Sequence, residues 1–151
     1  MMTINKKSIL WVAVAALSFG VVLVGGSLYH TGYAAEAGSQ TQLFESVTPK
    51  EAAALIQENK SNPNFVILDV RTPKEFQEGH IEGAINLDYY SETFLDDLDH
   101  LDKTKIYLIY CRTGSRSGKT FKFMKDLKFQ NVYHVEGGIT RWQAEGLPTT
   151  K

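Results

Sequence analysis

A chain of 151 residues suits one folded domain with a short extension, and 43% hydrophobic with 22% charged residues is ordinary for a globular protein. Setting aside Lys6 and Lys7, which open an apolar segment, reduces the 16 basic residues to 14, against 17 acidic ones. Nothing in this slightly acidic balance suggests a nucleic-acid-binding surface, which would need clustered positive charge, so we expect no nucleic-acid partner.

Residues 1–35 have the pattern of a signal peptide or membrane anchor. Lys6 and Lys7 precede the apolar stretch 9–26, and no charged residue follows before Glu36. An uncleaved helix over this stretch would span about 27 Å, just short of a hydrocarbon core of roughly 30 Å. Ala35-Glu36-Ala37 offers a match for signal-peptide cleavage instead, although it lies well beyond the apolar stretch. Both alternatives remain open, and the long gap favours the anchor.

The two alternatives make the same prediction about location. Because the two lysines stay inside, the rest of the chain lies outside the cytoplasm, in the periplasm or cell envelope if the source is bacterial. The protein is then either bound to the membrane through this segment or secreted. Small and polar residues predict a flexible linker at 36–46 and place the folded domain at 47–151.

Helical and strand patterns alternate from residue 48 onward. Thr48-Pro49-Lys50-Glu51 predicts a capped helix to about Asn59, and Thr72-Pro73-Lys74-Glu75 predicts a short one ending near Gly79. Apolar runs predict strands at 65–68, 84–87, 106–110 and 132–135, and further helices are predicted at 91–98, from the 111–116 loop to 128, and at 139–144. This order indicates an α/β fold, with a central parallel sheet flanked by helices on both faces.

The single cysteine stands where an open parallel sheet forms its sites, beyond the carboxyl end of a strand. Cys111 directly follows the 106–110 strand, and Arg112-Thr113-Gly114-Ser115-Arg116 leads into the next helix. The helix start and the two arginines favour a thiolate, and Gly114 would let several backbone amides face one anion. A lone cysteine is often only a small buried apolar residue, but an unpaired one in an exported domain is typical of a reactive thiol. The loop is therefore predicted to cradle an anionic group at Cys111.

Three motifs in this chain resemble those of single-domain rhodaneses, the thiosulfate sulfurtransferase family, from Val47 to Pro148. They are Asp69-Val70-Arg71-Thr72-Pro73-Lys74-Glu75-Phe76 with Gly79-His80-Ile81-Glu82-Gly83-Ala84-Ile85-Asn86; Tyr110-Cys111-Arg112-Thr113-Gly114-Ser115-Arg116-Ser117; and Val135-Glu136-Gly137-Gly138-Ile139 with Trp142 and Gly146-Leu147-Pro148. The resemblance implies transfer of a sulfane sulfur from a donor such as thiosulfate or a persulfide to cyanide or a thiol. A thiol or persulfide protein could serve as donor or acceptor, and no cofactor or metal is implied.

The resemblance also implies roles for individual residues. Cys111 would carry the sulfur as a persulfide, and Arg116 would complete the anion cradle. The substrate-binding residues would be those of the intervening loop, namely Arg112, Thr113, Gly114 and Ser115. Asp69 and Arg71 would support the site through an ion pair, and His80 would fix a turn rather than act as a base.

Two other functions remain as alternatives. Cysteine-based phosphatases and arsenate reductases also place a thiolate and an arginine in a helix-opening loop, but with five intervening residues, whereas four separate Cys111 from Arg116. A noncatalytic rhodanese-like module that binds a partner protein is the other alternative. Such modules commonly lack the loop cysteine, which is present here.

Overall fold

The computed structural model describes residues 42–151. The predicted signal or anchor segment, and residues 36–41 of the predicted linker, lie outside the described residues. The strands are β1 (Leu43–Val47), β2 (Phe65–Asp69), β3 (Ile85–Asn86), β4 (Ile106–Tyr110) and β5 (Asn131–Val135). The helices are α1 (Pro49–Glu58), α2 (Pro73–Glu78), α3 (Phe94–Asp99), α4 (Ser115–Asp126) and α5 (Gly138–Ala144).

The five strands form one parallel sheet in the order β1-β5-β4-β2-β3. β4 lies at the centre of the sheet, between β5 and β2. Its carboxyl end therefore lies between the carboxyl ends of two neighbouring parallel strands. This architecture confirms the predicted α/β class. It also places the residue after β4, Cys111, at the edge where parallel sheets form their sites.

Alternation along β4 divides the core into two layers, because successive side chains of a strand point to opposite faces. Tyr107, Ile109 and Cys111 join the cluster that contains α3 and α4 side chains, while Leu108 and Tyr110 join the cluster that contains those of α1 and α5. All five are nearly or completely buried. Helices therefore cover both faces of the sheet, as predicted.

The two Thr-Pro-Lys-Glu segments both cap helices as predicted. In each, the threonine hydroxyl accepts a hydrogen bond from the glutamate amide, and the glutamate carboxylate accepts one from the threonine amide. Pro49 and Pro73 occupy the first helical positions, where no donor is needed.

The structure differs from the sequence prediction at two places. The predicted linker 36–46 overlaps β1, which begins at Leu43, so four of its residues belong to the sheet. This strand was missed because Glu45 and Ser46 interrupt its apolar residues, which therefore form neither a continuous run nor an alternating pattern. Ser91 does not cap α3, which begins at Phe94 after Thr93; Ser91 Oγ instead accepts from the Thr93 amide in the preceding turn. Within residues 42–151, no helix is both long and apolar enough to cross a membrane.

Candidate active site

The loop between β4 and α4 curls around the sulfur of Cys111. Gly114 stands just before α4 with φ 91° and ψ −13°, in the left-handed region that glycine adopts without strain. This conformation turns its amide back so that it donates to Cys111 Sγ at 3.1 Å. The predicted role of Gly114, to let the backbone curl around an anion, agrees with this geometry.

The start of α5 holds the outer side of the same loop. The amides of Ile139 and Thr140 donate to the carbonyl oxygens of Cys111 and Arg112, at 2.8 and 3.0 Å. Gly138 makes this approach feasible, because a Cβ at that position would lie 2.3 Å from the Cys111 carbonyl oxygen. With its carbonyls bound to α5, the loop leaves its following amides free to turn toward the sulfur.

Cys111 is only 1% exposed, and hydrogen-bond donors surround its thiol. Burial is the largest single effect on the pKa of this thiol and raises it. Hydrogen bonds from the Ser117 hydroxyl and from the amides of Ser117, Thr113 and Gly114 outweigh burial and lower the pKa below its ordinary value. The predicted amide cradle is therefore present, although the donors closest to the sulfur include Ser117, which lies outside the predicted 112–116 set.

Two residues at the sulfur were missed by sequence reasoning. Ser117 is fully buried, and its hydroxyl lies 3.4 Å from Cys111 Sγ. His134 of β5 places Nε2 3.0 Å from that hydroxyl. The register brings them together, since His134 pairs with Ile109, which lies two residues before Cys111 and on the same face of the sheet. Alternation within β5 could have placed His134 on one face, but not beside this loop.

Arg116 is bound by a partner that the sequence analysis did not anticipate. Its Nη1 and Nη2 donate to the two carboxylate oxygens of Glu75 in α2, each at 2.7 Å. This pairing lowers the pKa of Glu75 to about 2 and raises that of Arg116. The guanidinium also lies 5.5 Å from the ring centroid of Tyr90, and the charge of Cys111 further favours its protonated form. Arg116 thus stays near the sulfur while both terminal nitrogens bind Glu75.

Asp69 and Arg71 form the supporting ion pair that the resemblance implied. Arg71 Nη2 lies 2.6 Å from Asp69 Oδ2, and both side chains are buried. The same Nη2 donates to the Gly79 carbonyl, which ties the β2–α2 loop to the turn before β3. His80 fixes that turn, because its Nδ1 lies 3.0 Å from the Phe76 carbonyl and its ring stacks on Phe76.

The remaining predicted substrate-binding residues lie on the outer surface of the loop. Arg112, Thr113 and Ser115 are exposed. Among residues 42–151, no partner forms an ion pair or hydrogen bond with the Arg112 guanidinium, which lines a cleft of about 320 Å³ together with Arg71, Thr140 and Gln143. The Thr113 amide is one of the donors to the sulfur. No described contact joins the Ser115 side chain to Cys111.

Comparisons with known proteins agree with this geometry. A family model described as the rhodanese-like domain matches residues 48–145. The tRNA uridine(34) hydroxylase of Photorhabdus laumondii is 34% identical over 106 residues, which are 64% of this chain and 30% of that protein. The chain therefore spans less than a third of the length of this curated relative.

Solved structures give the same result at domain level. A rhodanese-like domain protein from Staphylococcus aureus is 33% identical with a TM-score of 0.58, over 71% of this chain and 99% of that one. A rhodanese-related protein from Thermoplasma volcanium is 31% identical with a TM-score of 0.58, over 71% and 98%. Since the family model spans well over half of the chain and includes the Cys111 loop, the chain belongs to the rhodanese-like family.

Proposed function

We propose that the domain is a sulfurtransferase that carries a sulfane sulfur on Cys111. The observation that carries the proposal is the ring of donors around Sγ: three backbone amides and the Ser117 hydroxyl. Donors of this kind favour a thiolate, which is the nucleophilic form of cysteine. They also suit the small anionic sulfur that a persulfide adds to the same atom.

The first half-reaction loads the sulfur. The Cys111 thiolate attacks the sulfane sulfur of a donor such as thiosulfate, forming a new S–S bond. The S–S bond of the donor breaks, and its electron pair leaves with sulfite. Arg116, whose charge interacts with Cys111, favours the approach of an anionic donor.

The second half-reaction releases the sulfur to a thiophilic acceptor. Cyanide or a thiolate attacks the outer sulfur of the persulfide and takes it as thiocyanate or as a new persulfide. The electron pair of the broken S–S bond returns to Cys111, so the thiolate is restored without any external oxidant or reductant. The acceptor is either a small molecule or the thiol of a partner protein.

Three alternative functions have weaker support. A noncatalytic module would not need the donors around the sulfur. A phosphatase or arsenate reductase would have five residues between the cysteine and the arginine, whereas four separate Cys111 from Arg116. The hydroxylase name belongs to proteins of which this chain spans only 30%, so a tRNA substrate is not part of the proposal.

A mass measurement on the full chain tests the proposal. Incubation with thiosulfate and no acceptor should add one sulfur atom to Cys111, and cyanide should then remove it as thiocyanate, as a double displacement requires. Cys111→Ser should abolish both steps while the protein stays folded, because it replaces the thiolate with little change in volume. A phosphatase would instead hydrolyse a phenyl phosphate without gaining sulfur, and a binding module would do neither. Failure of the wild type to gain mass from thiosulfate and from a low-molecular-weight persulfide would refute the assignment.

We also propose that the domain acts outside the cytoplasm, on the basis of the charge-free stretch that follows Lys6 and Lys7. Protease treatment of spheroplasts tests this proposal. The domain should be digested or found in the periplasmic fraction, and an intact N-terminus in the membrane fraction would favour the anchor over the cleaved signal. A soluble protein that stays protected inside spheroplasts would contradict the location.

A further inference from the structure

The Ser117 hydroxyl has one proton and two acceptors within reach. Cys111 Sγ lies 3.4 Å from Oγ, and the Gly114 carbonyl oxygen lies 3.3 Å from it. The distances alone do not favour the sulfur. The direction of this proton therefore depends on what else occupies the Gly114 carbonyl.

Two other donors approach the Gly114 carbonyl oxygen. The Gly118 amide donates to it at 2.8 Å, and His134 Nε2 lies 3.3 Å from it. Because a carbonyl oxygen can only accept, a hydrogen bond between these two atoms requires the ring proton on Nε2. Both donors therefore compete with the Ser117 hydroxyl for this carbonyl, which favours the sulfur as the acceptor of the Ser117 proton.

This single Nε2 proton is shared between the Gly114 carbonyl and the Ser117 oxygen, which is the nearer of the two at 3.0 Å. A hydroxyl that accepts from His134 through its oxygen is left free to donate its own proton onward. The other ring nitrogen, Nδ1, lies 3.5 Å from Ser46 Oγ of β1, which can supply a donor to it. Each group thus donates to the next: Ser46 of β1 to His134 of β5, His134 to Ser117 of α4, and Ser117 to the sulfur of Cys111.

The surroundings of His134 keep the ring in the neutral form that this arrangement requires. It faces Ser46 from β1, Gly114, Ser117 and Phe121 from the loop and α4, and the charge of Glu136 beyond the end of β5. Burial is the largest effect and lowers the pKa of His134, against smaller raising effects of the Gly114 carbonyl and Glu136. The imidazole is consequently neutral at neutral pH.

We propose that His134 is a positioning residue for Cys111: its Nε2 donates to the Ser117 oxygen and competes for the Gly114 carbonyl, and so directs the Ser117 hydroxyl proton to the sulfur. The inference rests on Cys111 being the reactive group of the proposed function. It adds a residue from β5 that touches neither the sulfur nor any substrate. Without His134, the Ser117 hydroxyl would lose the donor that orients it and would donate to the Gly114 carbonyl, so the sulfur would lose a donor although Ser117 is still present.

The test measures how fast iodoacetamide alkylates Cys111 across a range of pH, using the full chain. This rate reports the thiolate fraction, whether or not the protein transfers sulfur, so it can fail independently of the proposed function. His134→Phe should slow alkylation at neutral pH about tenfold and move the pH midpoint upward, because one hydrogen bond to the thiolate is lost. His134→Gln, whose amide nitrogen can donate from a similar place, should recover most of the rate.

Two further variants separate positioning from a merely structural role. Ser117→Ala should slow alkylation as much as His134→Phe does, and the double variant should be no slower than Ser117→Ala, since both act through one hydrogen bond. His100→Phe, at an exposed position of the protein, is the matched control and should alkylate like the wild type. If His134→Phe does not fold, His134→Met supplies an adaptable apolar replacement. A folded apolar variant with the wild-type pH profile, or additive effects in the double variant, would overturn the inference.

Discussion

The same four residues, Thr-Pro-Lys-Glu, open α1 and α2, yet only one of the two caps takes part in the candidate site. In α1, Glu51 binds the Thr48 amide and hydroxyl through Oε2 and faces solvent. In α2, Glu75 binds Thr72 in the same way, and its two oxygens also accept from Arg116. Burial and the additional partner account for the difference, since the local sequence is identical.

This comparison shows that a helix cap can also hold the loop of a candidate active site. A capping carboxylate is already fixed in one orientation by its own helix start, so little side-chain freedom is lost when a second donor binds it. Glu75 thereby links the first rhodanese motif to the Cys111 loop. Substitutions at the two caps and at Arg116 test whether Glu75, unlike Glu51, contributes to the site.

The largest expected effect comes from removing Arg116, which leaves Glu75 a plain cap like Glu51. Arg116→Ala should slow sulfur loading by on the order of 10²–10³, because a charged group beside the reacting sulfur is lost. Arg116→Lys should restore only part of the rate, since a point charge cannot reproduce the fork that binds both Glu75 oxygens. Single-turnover loading from thiosulfate measures both.

The control for this variant is Arg112→Ala, which removes an exposed guanidinium from the same loop. Its free energy of unfolding should match that of the wild type within about 0.5 kcal/mol. Equal loading rates in the wild type and Arg116→Ala would show that Arg116 is a structural partner of Glu75 and nothing more.

A smaller effect is expected when the charge of each capping glutamate is removed in turn. Glu75→Gln keeps a capping side chain but weakens the hold on Arg116, and should slow loading about tenfold, the effect of one charge-assisted hydrogen bond. Glu51→Gln is the matched change at a cap without an arginine partner, and should load at the wild-type rate. Equal loss in both variants would contradict a special role for the second cap.

The pH dependence of stability provides a second test of the Glu75–Arg116 ion pair. The pKa of Glu75 is lowered from 4.5 to about 2, so its contribution to stability is complete above about pH 4.5 and is lost as the pH falls through about 2. Wild type should therefore exceed Glu75→Gln in free energy of unfolding by about 1–2 kcal/mol near neutral pH, a value reduced by solvent screening, and the difference should vanish toward pH 2. Urea unfolding at several pH values measures it.

The smallest effects are expected when the capping threonines are replaced. Thr48→Ala and Thr72→Ala should each cost about 1 kcal/mol, the usual value of a lost N-cap. Only Thr72→Ala should also slow sulfur loading, because the Glu75 carboxylate loses the hydroxyl that, together with the backbone amide, orients it toward Arg116. A loading defect in Thr48→Ala would show that the effect spreads through the fold and not through the cap.

The sequence predicted the elements whose signals are local. The two caps depend on four consecutive residues, and β4 depends on five apolar ones, so both were placed correctly. β1 contains Leu43, Phe44 and Val47, but Glu45 and Ser46 interrupt them, so neither an apolar run nor an alternation marks this edge strand. This segment is a strand because its backbone pairs with that of β5, and residues 43–47 alone do not reveal that pairing.

The site was predictable to the same extent. Cys111 and its loop follow from a strand, a glycine and a helix start that are contiguous in the chain. The Glu75–Arg116 and Ser117–His134 contacts join elements that are far apart in the sequence, and they depend on strand register and helix placement. The cradle was therefore predicted, and the side chains that orient it were not.

The strand order also sets when the site can form during synthesis. Among the strands of residues 42–151, β1 is synthesised first and pairs only with β5, 88 residues later at Ser46 and His134, so it cannot pair until β5 has been made. The amides that bind the carbonyls of Cys111 and Arg112 come later still, from Ile139 and Thr140. Such distant pairings fold slowly compared with local ones. A nascent chain therefore carries Cys111 as an ordinary thiol, and the sulfur gains its surroundings only when the final helix docks.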